Sequence, residues 1–382
     1  MNFGTPPPDG AGPLPEAEVV AWVGLSQLPG VGPRTIRRWV DRAGSASSVW
    51  RHLPAFVPHR ADRDEVLAAW RSANPEAVLA EARGRGMVVL AVSDPAFPLL
   101  LRAIPDPPPI LFVRGAIGNS PAVAVVGSRR ATPYGRAAAG RLAYDLALAG
   151  VTVVSGLARG IDGAAHQAAL DGGGQTIAVL GCGADVAYPP EHRELADAVA
   201  ARGALVTEFP PGTPPLPSHF VRRNRLISGL CLGVVVVEGA EDSGALVTVE
   251  YALDQGREVF AVPGSIFSEH SRAPHHLLRE GARVVESADD IMSELGLTTG
   301  SPVEPGAQTG EGAGGESRLL ALLDAGPRQL DDLVEASGLS AADVAAMVTM
   351  LEIRGLVRTL PGQMVMRTPG RARGDTRTNN DG

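Results

Sequence analysis

Short apolar runs rich in valine recur along the middle of the chain and predict buried strands. They cover Val88–Val92, Val123–Val126, Val151–Val154, Thr176–Leu180, Leu205–Val206, Val234–Val237, Val259–Val262 and Arg283–Val285. Most of these runs lack polar and apolar alternation, as expected of strands that are buried on both faces of a sheet. Segments of helix length, such as Pro133–Ala149, separate most of them. The pattern predicts a doubly wound, mainly parallel α/β sheet.

A different pattern precedes these strands. Residues 16–85 read as short helices, among them Arg34–Asp41, Asp64–Arg71 and Pro75–Ala82. The segment Leu28–Gly32 resembles a helix-hairpin-helix turn, in which glycines let two helices approach and exposed amides can hold a DNA phosphate. We therefore expect a small helical domain of the SAM or helix-hairpin-helix type, with a structural hairpin as the preferred interpretation and phosphate contact as the alternative.

A third pattern follows the strands. Residues 300–315 are rich in Gly, Pro, Thr and Ser and predict a flexible linker. Three helices are then predicted at Ser317–Leu323, Gln329–Ala336 and Ala341–Ile353, and a hairpin with a Pro-Gly turn at Leu356–Met366. Three helices and a hairpin make a winged helix, which we assign to residues 316–367. The Rossmann-like sheet domain is assigned to residues 86–299, and residues 1–15 and 368–382 are expected to be disordered tails.

The composition fits a folded protein inside the cell. Hydrophobic residues make up 45% of the chain and charged residues 20%, which is ordinary for globular domains. No apolar stretch is long enough to cross a bilayer and the N-terminus has no signal-peptide pattern, so a cytoplasmic protein without membrane contact is predicted. The two cysteines, Cys182 and Cys231, have neither disulfide nor zinc-site spacing. We expect no metal and no cofactor.

The net charge of −8 argues against a nucleic-acid partner, because affinity for phosphates comes largely from cationic side chains. The distribution of charge changes this picture. Residues 121–231 contain ten arginines and eight acidic residues, and several of the arginines lie beside glycines or in one tight cluster. The sequence therefore predicts a local positive site on an acidic protein.

The first candidate site follows the valine run that ends at Val126. The chain continues as Gly127-Ser128-Arg129-Arg130, and Thr132-Pro133 then opens a helix with a capping residue and a proline at its first position. Free amides, a hydroxyl and two guanidiniums at the carboxyl end of a strand predict an anion site. The glycine spacing is not that of a dinucleotide-binding loop, and a solvated arginine pair is the alternative.

The next strand ends in a similar way, with Ser155-Gly156 and then Arg159-Gly160. In the helix that follows, Asp162 and His166 are four residues apart and therefore share one face. Such a pair suggests base catalysis or half of a metal site, but no nucleophile or third ligand accompanies it. We prefer a structural, loop-orienting pair.

The densest cationic run is Phe220-Val221-Arg222-Arg223-Asn224-Arg225. Guanidiniums beside an aromatic ring suit single-stranded nucleic acid, since Arg holds phosphates, Asn meets a base edge and Phe offers a stacking face. A solvated helix face is the alternative. Ser243-Gly244 opens another strand-to-helix turn, for which simple turn chemistry is the alternative.

Several segments together resemble the DNA processing protein A (DprA/Smf) family. GSRRATPYG, SGLARGIDGAAHQAAL, IAVLGCG, YPPEHREL, FVRRNRLISGL, VVVVEG, SGALVTVEYALDQGREVFAVPG and LLREGA follow the order and spacing of that family from about Ala122 to Ala282. The resemblance implies a protein that binds single-stranded DNA without catalytic turnover. It also implies a homodimer, which we expect to form through the apolar edge of the Rossmann-like domain, and assistance in loading the recombinase RecA during natural transformation and homologous recombination.

By position, the resemblance places nine residues along a DNA groove: Gly127, Ser128, Arg129, Ser155, Gly156, Arg159, Phe220, Arg223 and Asn224. We add the adjoining Arg130, Gly160, Arg222, Arg225, Ser243 and Gly244 as DNA or phosphate contacts. The chain departs from the family at Val221, where a proline is usual, and at Ser271–His275, which replaces a stretch that usually holds a Gly and an Asn.

Two other functions remain open. Phosphoribohydrolases with a related sheet resemble this chain at Ser243–Glu250, but Glu250 is one residue too close to Thr248, which rotates it by about 100° around a helix. A transcription factor with a ligand-sensing sheet domain fits a terminal winged helix. However, Asp343 and Glu352 make the recognition helix too acidic for a major-groove reader, so protein contact or dimer support is expected of this domain.

Overall fold

The computed structural model describes residues 14–59, 62–297, 319–320, 322–323, 328–353, 357–360 and 364–367. The expected linker, the C-terminal tail and all but two residues of the N-terminal tail lie outside the described residues. The chain divides into two compact units, residues 1–302 and residues 303–382.

A nine-stranded sheet forms the centre of the first unit. Its strands are β1 (Met87–Ala91), β2 (Ile110–Gly115), β3 (Ala122–Val126), β4 (Thr152–Ser155), β5 (Thr176–Val179), β6 (Ala204–Thr207), β7 (Gly233–Val236), β8 (Glu258–Ala261) and β9 (Arg283–Val284). They lie in the order β1-β2-β6-β5-β4-β3-β7-β8-β9. Strand β2 is antiparallel to both its neighbours, and all other neighbouring strands are parallel. The predicted mainly parallel, doubly wound sheet is confirmed.

Helices cover both faces of this sheet. They are α6 (Leu99–Arg102), α7 (Pro133–Leu148), α8 (Ile161–Asp171), α9 (Arg193–Arg202), α10 (Pro217–Gly229), α11 (Gly244–Asp254), α12 (Arg272–Arg279) and α13 (Ala288–Glu294). From β3 the chain builds the sheet toward β6 on one side, and it later returns to place β7, β8 and β9 on the other side. The switch point between β3 and β7 is where ligands bind in open sheets of this kind.

Alternate residues of the central strands face two separate cores, as the two-residue period of a strand requires. Val123 and Val125 of β3 pack in one hydrophobic cluster, and Ala124 and Val126 pack in the other. The strands are therefore apolar on both faces, which explains the continuous valine runs. Strand β2 was not predicted, because three consecutive prolines directly before it read as a loop.

The N-terminal helices of the same unit are α1 (Glu16–Ser26), α2 (Pro33–Ala43), α3 (Ala46–Arg51), α4 (Arg63–Ser72) and α5 (Pro75–Gly84). They enclose their own core, which includes Trp22, Ile36 and Leu53. The Leu28–Gly32 turn joins α1 to α2, as predicted for a helical hairpin. Trp22 donates a 3.0 Å hydrogen bond to the Ser93 hydroxyl just after β1, which ties these helices to the sheet.

The second unit contains the predicted C-terminal winged helix, of which the first predicted helix, Ser317–Leu323, and the Pro-Gly turn lie wholly or partly outside the described residues. Its described elements are β10 (Arg328–Gln329), α14 (Leu330–Ser337), α15 (Ala341–Ile353), β11 (Val357–Leu360) and β12 (Met364–Arg367). The three strands pair in the order β10-β12-β11 over a core that includes Leu333, Val344 and Val365. Strand β10 was not predicted, because two residues carry no readable period. Nowhere in the described part of the chain is a helix long and apolar enough to cross a membrane.

Candidate nucleic-acid interface

A cleft of about 570 Å³ lies at the carboxyl ends of the central strands, at the switch point. Its lining comes from the loops after β3, β4, β5, β6 and β7, from α10 and from the start of α11. Most of the predicted site residues line it: Gly127, Ser128, Arg129, Arg130, Phe220, Arg223, Asn224, Ser243 and Gly244. A smaller adjoining cleft of about 180 Å³ adds Gly156 and Arg159.

The loop between β3 and α7 is fixed through its backbone. The Ser128 amide donates a 2.8 Å hydrogen bond to the Glu238 carbonyl, and the Ser128 carbonyl accepts one of 3.2 Å from Ile161. Gly127 has no room for a side chain, because a Cβ would lie 2.8 Å from the Glu238 oxygen. Because the loop is tied down from behind, the Arg129 and Arg130 side chains extend into solvent at the cleft.

The start of α7 corrects one expectation from the sequence. The amide and hydroxyl of Thr132 donate hydrogen bonds of 2.9 and 2.5 Å to the carboxylate of buried Glu238. A carboxylate of the protein therefore occupies the position that an anion was expected to take at this helix terminus. The cationic groups left for a ligand are the guanidiniums. Glu238 was missed, although it is the single charge that ends a run of four valines.

Behind the cleft, the loop after β4 is also tied into the protein. The Ser155 hydroxyl is fully buried and donates a 2.6 Å hydrogen bond to the Val125 carbonyl. The amides of Gly156 and Ala158 donate to the Asp162 carboxylate at 3.1 and 3.2 Å. Burial raises the pKa of Asp162, and nearby Arg223 together with these hydrogen bonds opposes that shift. Because the Ser155 hydroxyl and the Gly156 amide bond within the protein, these two residues hold the loop in place and offer neither group to a ligand.

Arg159 and Gly160 bring this loop against the first one. Gly160 has a φ of +79°, and a Cβ there would collide with the Ser128 carbonyl, so only glycine fits. Arg159 is more than half exposed and pairs with exposed Glu191. That pairing lowers the pKa of Glu191, but an exposed ion pair holds Arg159 only weakly. Its guanidinium can therefore exchange Glu191 for a phosphate.

Arg223 lines the cleft but is almost completely buried. Its side chain is 4% exposed and donates to the Val179 carbonyl and, at 2.7 Å, to the Gly156 carbonyl. Burial lowers its pKa to about 10, while the negative charge of Asp162 opposes that change. Arg223 thus ties α10 to the ends of β4 and β5.

The other arginines of the same run differ from the expectation as well. Arg225 is buried and lies 2.6 Å from the buried Glu208 carboxylate, which also accepts a 2.7 Å bond from half-exposed Arg222. Successive residues turn by about 100° around a helix, so the run cannot present all three arginines to one ligand. Arg225 does not reach the cleft, and its DNA contact predicted from sequence does not fit this arrangement. Arg222 bonds to Glu208, and about half of its side chain is exposed.

Aromatic rings form the middle of the cleft. Phe220 and Tyr188 lie with their centroids 5.2 Å apart, and the Arg129 guanidinium lies 5.6 Å from the Phe220 centroid. Both rings line the cleft, and Tyr188 is exposed. Tyr188 was missed by the sequence reading, although an aromatic residue before two prolines at a strand-to-helix connection was a visible sign.

Asn224 of α10 and Ser243 at the start of α11 are further polar groups of the cleft, which Asp242, Thr248 and His270 also line. Asn224 accepts a 3.1 Å bond from Arg223 and donates one of 3.4 Å to the Gly244 carbonyl. The Ser243 hydroxyl caps α11 by accepting a 3.3 Å bond from Ala245. Ser243 therefore performs turn chemistry, and exposed Gly244 leaves the start of α11 open at the cleft.

Asp162 and His166 share a face of α8 but do not bond to each other. His166 is fully buried and contacts the Thr176 hydroxyl at 2.7 Å, and that hydroxyl donates to the Val153 carbonyl. Burial lowers the pKa of His166 to about 3, with smaller effects from His192 and Arg223. Within the described residues, no group of three or more His, Cys, Asp or Glu is placed to hold a metal ion.

The comparable residue of the phosphoribohydrolase alternative is not part of the cleft. Glu250 is exposed on α11, whereas Val247 and Thr248 of the same helix line the cleft. No carboxylate is therefore placed by α11 against a ligand in this cleft.

Comparison with known proteins gives consistent matches. The sequence profile of the family described as DNA recombination-mediator protein A matches residues 88–296, and that of the DprA winged helix domain matches residues 303–363. Protein Smf of Synechocystis is 32% identical over 93% of this chain and 100% of its own length. DNA processing protein DprA of Bacillus subtilis is 43% identical over 71% of this chain and 92% of its own length.

A solved structure also matches. The X-ray structure of DNA processing protein A from Streptococcus pneumoniae is 33% identical, with a TM-score of 0.65. The match covers 74% of this chain and 99% of that protein.

Proposed function

This chain belongs to the DNA recombination-mediator protein A (DprA/Smf) family, and we propose that its switch-point cleft binds single-stranded DNA. The family predicted from the sequence is thereby confirmed. The observation that carries the proposal is the cleft itself, in which exposed Arg129 and Arg130 adjoin the ring pair of Phe220 and Tyr188.

The proposed binding mode follows from this chemistry. Guanidiniums of Arg129, Arg130 and Arg159 hold successive phosphates, and unpaired bases stack on Phe220 and Tyr188. Every base has a π-face, so a stacking cleft of this kind binds without strong sequence preference. A duplex keeps its bases stacked on one another and offers only its phosphates, so it gains nothing from the rings.

The predicted site residues divide into two sets under this proposal. Ligand contacts are assigned to Gly127, Ser128, Arg129, Arg130, Arg159, Phe220, Asn224, Ser243 and Gly244, which line the two clefts. Gly160 and Arg222 line neither cleft, so Gly160 is assigned to the packing of the two loops and Arg222 to the pair with Glu208. Ser155, Gly156, Arg223 and Arg225 are assigned to holding those contacts in place, because their polar atoms bond within the protein.

The biological setting is part of the same proposal and rests on the family. We propose that the chain acts in the cytoplasm as a homodimer, protects single strands and assists RecA loading during natural transformation or recombination. We also propose that it works without catalytic turnover. Release of a nucleobase from a nucleoside monophosphate would instead support the phosphoribohydrolase alternative.

The test is a fluorescence-anisotropy titration of labelled oligo(dT) and of a matched duplex. We expect tighter binding of the single strand. Phe220→Leu keeps an apolar side chain in the cleft but removes the π-face, so it should weaken oligo(dT) binding by about 1–3 kcal/mol. Leu253→Ala, which removes an exposed apolar side chain of α11 that does not line the cleft, is the control and should leave the affinity unchanged. Equal or tighter binding of the duplex would contradict the proposal.

A further inference from the structure

A second cleft, of about 550 Å³, adjoins the first and is not used by the function proposed above. It lies between the start of α11, the loop after β8 and helix α12. Its lining residues are Glu241, Leu246, Ile266, Arg272, Ala273, His275, His276 and Arg279. The lining side chains that carry charge are two arginines and one glutamate, so the cleft favours an anionic ligand.

The basic side chains form one continuous face. Arg272, His275, His276 and Arg279 occupy positions i, i+3, i+4 and i+7 of α12, which lie on the same side of a helix. Arg272 is 3.9 Å from Glu241, and both side chains are more than half exposed, so this ion pair holds neither strongly. Arg279 is also exposed. The two guanidiniums are therefore available to phosphates.

Apolar side chains stand exposed beside this face. Ile266 is 82% exposed and Phe267 is 92% exposed, on the loop that follows β8. The loop is held by its own bonds, including one of 3.2 Å from the Phe267 amide to the Ser265 hydroxyl. Ile266 lines the cleft and Phe267 follows it directly in sequence, so an exposed aromatic ring is available for stacking next to the cleft lining.

One ridge separates the two clefts. The Gly239 carbonyl accepts a 3.0 Å bond from Ala273 and its amide donates one of 2.7 Å to the His270 carbonyl, so α12 is fixed to the end of β7. Next along the ridge, Ala240 and Asp242 line the first cleft, whereas Glu241 lines the second. A single strand of DNA that left the first cleft over this ridge would therefore enter the second cleft.

We propose that the second cleft extends the path of the single strand, with phosphates on Arg272 and Arg279 and a base against Phe267. The inference rests on the proposed function of the first cleft. Charge complementarity and continuity with that cleft favour a nucleic-acid strand as the occupant over a protein.

The test compares a length series of oligo(dT), from about 4 to about 16 nucleotides, on the full chain. Arg272→Ala/Arg279→Ala should leave binding of the shortest ligands unchanged. Binding of the longest ligands should weaken by on the order of tenfold, since two phosphate contacts are lost. Arg141→Ala/Arg202→Ala removes the same charge from exposed positions outside both clefts and is the matched control.

A second variant removes the proposed stacking face without touching charge. Phe267→Leu should also weaken binding of long ligands only, and its 92% exposure makes misfolding no concern. Unchanged affinity for long oligo(dT) in both variants would overturn the extension and leave the first cleft standing. If the unmodified chain binds no oligo(dT) of any length, the function proposed for the first cleft fails, and the extension fails with it.

Discussion

The arginines of the β3–α7 loop and those of α10 look alike in sequence but lie in opposite surroundings. Arg129 and Arg130 are exposed at the cleft, whereas Arg223 and Arg225 are 4% and 3% exposed and bond to groups inside the protein. The denser cluster thus supplies the scaffold, and the sparser one supplies the free cations. Local density of charge is therefore a poor guide to which arginines are exposed.

The difference has a physical cause in how each segment is held. The loop is fixed through backbone groups, chiefly by the Glu238 carbonyl, and its side chains remain free. Helix α10 satisfies its own backbone, so its position is fixed through side chains that reach the strand ends and the Glu208 carboxylate. A variant that combines Arg129→Ala with Arg223→Ala would therefore mix a binding effect with a folding effect.

The largest expected effect is a loss of unfolding free energy when a buried arginine of α10 is removed. Arg225→Ala leaves the buried Glu208 carboxylate with half-exposed Arg222 alone, and breaking a buried ion pair costs about 3–5 kcal/mol of unfolding free energy. Urea denaturation followed by circular dichroism measures this loss. Arg130→Ala, on the loop side, should change stability by no more than about 0.5 kcal/mol. Equal losses in the two variants would remove the distinction.

Lowering the pH should destabilise the protein through buried His166 of α8. The same helix carries Asp162, whose charge interacts with that of Arg223. The pKa of His166 is about 3 in the folded protein and 6.5 in an ordinary setting, so between these values the unfolded chain binds one more proton. Stability then rises with pH by up to about 1.4 kcal/mol per unit and is lost as pH falls from 6.5 toward 3.

His166→Asn removes the titrating group, so the pH slope of its unfolding free energy should be smaller in that window. The measurement is urea denaturation at a series of pH values for both proteins. Parallel pH dependences for the variant and the unmodified chain would show that His166 is not held neutral by burial.

Most of the fold could be predicted because a strand buried on both faces appears in the sequence as a continuous apolar run, such as Val123–Val126. Strand β2 was not predicted because three prolines precede it, and the two-residue β10 was not predicted because it is too short to show a period. The same limit applies to the site. The positions of Gly127 and Ser155 at strand ends, and of Ser243 at a helix start, followed from the order of strands and helices.

The direction of side chains did not follow from the sequence. Whether Arg223 points inward depends on the pitch of α10 and on the carbonyls of Gly156 and Val179, which are brought together only by the folded sheet. Glu238 is a similar case, because its partner Thr132 is 106 residues away. A contact between residues so far apart leaves no pattern in the neighbouring sequence, so it could not be predicted.

The most direct test of the account is the salt dependence of oligo(dT) binding by the loop variant Arg129→Ala/Arg130→Ala. Each phosphate contact to a single strand contributes about 0.7 to the slope of log affinity against log salt concentration. The account predicts weaker binding and a slope smaller in magnitude by about 1.4, while Arg141→Ala/Arg202→Ala keeps the slope of the unmodified chain. An unchanged slope in the loop variant would contradict the claim that these two exposed arginines hold the strand.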